Sequence, residues 1–155
     1  MKKSALTGLA GLLMLAGASA APAQSGVNSA GTTVSGTFTL SLTVTVLSPS
    51  ISTSTPIRCT LLAVVSGIGA TGPVDSITDS ATAPATRTGS TAKCAMTLPY
   101  EWILSGASDT ILLSYNISAT SSTTGEGRNI SVFIKTISVP PSGTKTKLGS
   151  LPAFI

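Results

Sequence analysis

Residues 36 to 47, GTFTLSLTVTVL, alternate strictly: Phe38, Leu40, Leu42, Val44 and Val46 take one parity, and Thr37, Thr39, Ser41, Thr43 and Thr45 the other. A period of two puts successive side chains on opposite faces of a strand, so this ribbon has one apolar face that must be covered and one hydroxyl face that water accepts. It contains no charge and no proline, the usual guards of an exposed strand edge. The ribbon therefore lies inside its own sheet or serves as an interface strand for a neighbouring subunit, and the five apolar residues are the candidate contact in either case.

The same alternation recurs along the chain. In IRCTLLAVVSG, Ile57, Cys59, Leu61, Ala63 and Val65 share a parity, and Leu62 and Val64 on the other side point to a strand apolar on both faces. In TAKCAMTLPYEWIL the series is Ala92, Cys94, Met96, Leu98, Tyr100, Trp102 and Leu104, with Pro99 marking an edge or a bulge. Ile111, Leu113, Tyr115 and Ile117 follow, then Ile130, Val132 and Ile134, after which the parity switches to Ile137 and Val139, predicting a bulge near Lys135 and Thr136. A short last strand is expected around Thr144 to Leu148. Residues 67 to 91, rich in Gly, Pro, Ala, Thr and Asp, read as a long loop with one short strand near Val74 to Thr78. No stretch keeps helical spacing for three turns. The expectation is an all-β, antiparallel, Ig-like β-sandwich of 6 to 7 strands.

The start of the chain, MKKSALTGLAGLLMLAGASAAPAQSG, has two lysines, an apolar run and small residues at its exit, the pattern of a secretory signal peptide with cleavage after Ala20 or Ala23. The organisation predicted is a signal peptide over 1 to 23, a mobile leader over 24 to 35 and one domain over 36 to 155. The apolar run is short for a membrane span, which takes about 20 residues, so no span is expected after cleavage. The pattern looks bacterial and assigns the protein to an exported location: secreted, periplasmic or at the cell surface.

Export makes a disulfide the default state of the two cysteines. Cys59 and Cys94 both lie on the apolar parity of their strands, so a bridge between them would tie two strands from inside. Without histidine or a CxxC motif, redox and metal roles find no support.

Charge excludes further classes. Cleavage after residue 23 removes Lys2 and Lys3 from nine basic residues, leaving seven against five acids, a net charge of +2. Those seven cations are scattered, whereas a nucleic-acid surface needs several converging. Only 9% of residues are charged, so Ser, Thr and Gly must solvate the surface.

Several local motifs invite chemical readings. GIGATG, from Gly67, matches the dinucleotide fingerprint, but Pro73 follows directly, no helix pattern opens there, and residues 88 to 97 hold no acid. STAK and SGTK match S-x-x-K in strand or turn context, where residues i and i+3 face opposite ways. The absence of histidine removes the commonest general base. Asp75 and Asp79 are candidate calcium ligands, too few by themselves to define a site. Tyr100 and Trp102 suit a sugar-stacking platform, yet share parity with Cys94, Met96 and Leu98, which assigns them to the core. NIS at Asn116 and Asn129 is a glycosylation acceptor only in a eukaryotic route. No enzyme activity and no cofactor are expected.

The functional expectation is an exported structural or adhesive protein, such as a surface, matrix or fibre subunit or an interaction module. It would act by strand pairing with itself or with another exported protein. In its export signal, Ser/Thr-rich strands, paired cysteines, N-terminal ribbon and penultimate Phe154, the chain resembles chaperone-assembled pilus subunits, a likeness that implies an Ig-like fold with a donor strand near the N-terminus. It departs from them in the late position of Cys59 and in the Tyr100/Trp102 pair. The alternatives are a small outer-membrane β-barrel, whose apolar parity would face lipid, and a secreted carbohydrate-binding domain.

Overall fold

A computed structural model describes residues 31–67, 75–104, 109–121, 125 and 127–155. Among them are eight strands: β1 (Thr32–Thr45), β2 (Ile57–Gly67), β3 (Asp75–Pro84), β4 (Thr86–Thr88), β5 (Thr91–Leu104), β6 (Thr110–Thr120), β7 (Gly127–Ser138) and β8 (Thr144–Phe154). They form two four-stranded sheets, ordered β4-β5-β1-β8 and β3-β2-β6-β7. Every pairing is antiparallel except β1 with β8, which is parallel. The predicted signal peptide and most of the predicted leader lie outside the described residues. β1 starts at Thr32, within the segment read as leader, because Val34 extends the alternation and is buried.

The apolar parities of β1, β2, β5 and β6 meet between the sheets. Phe38, Leu61, Val65, Ile111 and Leu113 are fully buried there, and the alternation of buried and exposed residues runs without a break along β5. The parity that a membrane barrel would turn to lipid is thus turned inward, packed as a sandwich core. Burying such side chains contributes about 1.5–3 kcal/mol each relative to exposure, which is why alternation alone dictates these four strands.

Residues 67 to 91 are not a long loop. They contain β3 and β4, and the short strand foreseen near Val74 to Thr78 runs on to Pro84. The sequence pattern was faint because, after Ile77, the inward positions of β3 carry Asp79, Ala81 and Ala83, too small or too polar to announce a core face. The chain changes sheets at Ala85, whose N–H donates to Ile57 O at 2.9 Å. It then turns through Gly89, at φ 59°, into the β4–β5 hairpin. Positive φ at this turn suits a residue without a Cβ.

β3 lies against β5, so the two sheets approach at this side and β7 and β8 occupy their opposite ends. The segment between β1 and β2 is pinned down: Arg87 donates from Nη1 to Ser52 O at 2.6 Å and from Nε to Gly89 O at 2.9 Å, and Ile51 is buried in the core. The parity switch in β7 is a bulge, where Leu113 pairs with Lys135 but Ser114 pairs with Phe133, leaving Ile134 as the extra residue.

Candidate functional site

Cys59 on β2 and Cys94 on β5 are bonded, with Cα atoms 6.2 Å apart, joining the two sheets. Further along the same face of β5 stands an aromatic stack. Phe38 and Tyr100 have ring centroids 4.8 Å apart, Tyr100 and Trp102 4.2 Å, in offset parallel arrangements. Tyr100 and Trp102 are buried, so neither offers a face to a sugar. Trp102 Nε1–H donates to Asp79 Oδ2 across the β3–β5 contact. Among the described residues the Tyr100 hydroxyl has no partner, and it fits only because residue 36 is glycine: a Cβ there would stand 2.5 Å from the hydroxyl oxygen. Burial pushes the Tyr100 and Tyr115 hydroxyls above the ordinary phenolic range.

The ribbon residues Phe38, Leu40, Leu42 and Val44 are buried, and Val46 packs on the rim of the same core. β1 pairs along its length with β5 on one side and β8 on the other, so in the single chain it is a central strand.

Unpaired backbone lies at the sheet edges, and these differ in how they are protected. β8 carries Lys145, Lys147 and Pro152, and it is bent where Leu148 and Gly149 together oppose Leu40. Beyond the short β4, the outer side of β5 contains Pro99 and has β3 against it. β7 is different: it has no proline, and only Arg128, Lys135 and the bulge at Ile134 break its regularity. Its core-side residues Ile130, Val132, Ile134 and Ile137 are half-buried, as are Leu148 and Leu151 on β8, while the matching positions on the inner strands are closed. On its outer face Phe133 is 60% exposed. The seam between β7 and β8 thus presents an incompletely covered apolar strip beside an available strand edge. At the end of the seam where β7 starts and β8 finishes there is a pocket of about 380 Å³, lined by Leu47, Ser48, Pro49, Arg128, Ile130, Phe154 and Ile155. Phe154, at 56% exposed, forms part of its rim.

None of the remaining motifs assembles a reactive centre. STAK spans the β4–β5 turn and SGTK the turn into β8, so neither places Ser and Lys one helical turn apart. GIGATG lies outside the described residues after Gly67. Asn116 donates from Nδ2 to Asn129 Oδ1 and to Ser131 Oγ, which makes the two NIS asparagines a cross-strand pair on the outer face of β6 and β7. Among the described residues no group of three or more metal-ligating side chains comes together.

Fold and surface together define a small all-β module of two packed sheets with one disulfide. Compared with protein families, with characterised proteins and with solved structures, the chain matches none.

Proposed function

We propose that this protein is an exported, Ig-like structural or adhesive module that works by strand pairing and surface contact and carries out no chemistry. The carrying observation is the β7–β8 seam: a strand edge without proline, a row of half-buried isoleucines and valine behind it, and an apolar pocket at its end. A strand added beside β7 would gain main-chain hydrogen bonds while its alternate side chains covered that row. The signal-like N-terminus and the buried disulfide support export, and the hydroxyl-rich surface suits contact with copies of itself or with another exported protein.

The test is solution mass by light scattering over a range of concentrations, for the mature chain and for Val132→Lys. The substitution places an inward-pointing charge on the edge strand, a device that blocks edge pairing, at a half-buried position from which lysine can reach water. The native chain is expected to form oligomers that grow with concentration, and the variant to stay a folded monomer. A native chain that is monomeric at every concentration overturns pairing between copies.

A further inference from the structure

The outer face of the sheet β4-β5-β1-β8 is hollowed. β4 is only three residues long, and at Ala85 the chain leaves for the other sheet. β5 beyond Lys93 therefore has no sheet partner on that side, and Ala83 and Pro84 form a wall there. On the opposite flank β8 is bent by its bulge at Leu148 and Gly149, where Gly149 takes φ 92°. Between the two, Ser41 of β1 faces Ala95 of β5, a pair too small to fill the space. Two hollows result, of about 620 and 300 Å³, which share Ser41, Ala95 and Ser150 and so make one trough running obliquely across the strands.

Hydroxyls line the trough, from Thr39, Ser41, Thr43, Thr86, Thr97 and Ser150, and a lysine stands in each hollow, Lys93 in the larger and Lys147 in the smaller. Neither ammonium has a hydrogen bond or ion pair among the described residues. No acid or aromatic is among the described residues that line it. Lys145, in the row of Thr37, adds a third cation just beyond, and Glu101, the only acid on this face among the described residues, lies farther along in the row of Ser35. Lys93 is in the row of Thr43 and Lys147 in that of Thr39, on strands that flank β1. Four residues along and two strands across put their Cα atoms about 16 Å apart.

We infer that this trough binds a segment of an anionic polysaccharide of the uronic-acid class. Two lysines so spaced suit carboxylates carried at intervals along one chain better than a single small anion. Hydroxyl side chains both donate and accept, as sugar hydroxyls do, so the stretch between the lysines complements the uncharged part of such a chain. A single-stranded nucleic acid would call for stacking aromatics beside the cations, and a membrane surface for apolar side chains among them; the trough has neither. The inference is independent of strand addition at β7, which belongs to the other sheet.

The experiment is calorimetric titration of the mature, disulfide-intact protein with oligogalacturonate, and with neutral dextran of similar length, at roughly 0.01 M ionic strength, where charges are felt over about 30 Å. Binding of the oligogalacturonate alone is expected. Lys93→Gln and Lys147→Gln should each weaken it about twofold to fivefold, and the double variant by about tenfold. Ala95→Tyr, which fills the floor shared by both hollows without changing charge, should weaken it at least as much as either lysine. Arg58→Gln, the same loss of charge on the outer face of the other sheet, should leave it intact. All four positions are exposed, so each variant is expected to keep the native Tm. The site is overturned by a native chain that gives no heat, by binding that survives the double substitution or Ala95→Tyr, or by equal affinity for duplex DNA or for phosphatidylglycerol vesicles. Oligomer formation is read separately by light scattering, so either reading can fail without the other.

Discussion

Tyr100 shows how much a single atom costs a core of this kind. Its ring stacks between Phe38 and Trp102, but its hydroxyl is buried with no partner among the described residues, above a glycine whose missing side chain admits it. An unpaired buried hydroxyl forfeits about 1–3 kcal/mol of solvation. Tyr100→Phe, which keeps the ring and discards the oxygen, is accordingly expected to leave stability unchanged or raise it by up to about 1 kcal/mol in urea unfolding. Most ring truncations in a core do the opposite. Alternation placed Tyr100 and Trp102 in the core correctly, whereas nothing in the residue order reveals the Gly36–Tyr100 fit. That fit joins positions far apart in the chain and depends on the β1–β5 register. The burial of Asp109 is hidden for a similar reason: in sequence it ends a turn-like SGASD, and only the pairing of β6 with β2 brings its side chain over Gly67.

Among the elements, β2 and β5 are distinguished by being the two that the disulfide joins. The bridge spans 35 residues, and on the chain-entropy formula closing such a loop restricts the unfolded state by about 3.8 kcal/mol. Replacing both cysteines by alanine is expected to lower the unfolding free energy by about 2–4 kcal/mol, read as a lower urea midpoint with the slope little changed. The strands that alternation made legible were those whose inward positions hold branched or aromatic side chains: β1, β2, β5, β6 and β7. β3 was largely missed because alanine and aspartate follow Ile77 at those positions, and β8 was drawn too short because Gly149 and Pro152 interrupt its pattern. Both strands are held by partners of stronger propensity, so pairing and not local sequence fixes their extent.

For the molecule as a whole, its two buried tyrosines make stability depend on pH at the alkaline end. There is no histidine to titrate near neutrality. Burial holds the Tyr100 and Tyr115 hydroxyls above the ordinary phenolic value of about 10. Because these groups are neutral when protonated, the unfolded chain ionises first as pH rises. The stability they lend is then complete below about pH 10 and is lost as pH climbs through their folded-state values. Thermal unfolding should thus give a flat Tm across neutral pH and a fall above about pH 10, with a smaller fall in Tyr100→Phe.

The seating of β1 also governs when the molecule can be completed. The first described strand lies between β5 and β8, so its two neighbours come from the middle and the far end of the chain. During synthesis the ribbon from Thr32 emerges with neither flank available, and closing the parallel pair with β8 must wait for residues 144 to 154 to appear. Contacts so distant along the chain make for slow assembly. In that interval an uncharged, strictly alternating strand stands open to any other strand it meets. The segment that finishes at the centre of the fold is thus the one most in need of protection before the fold exists.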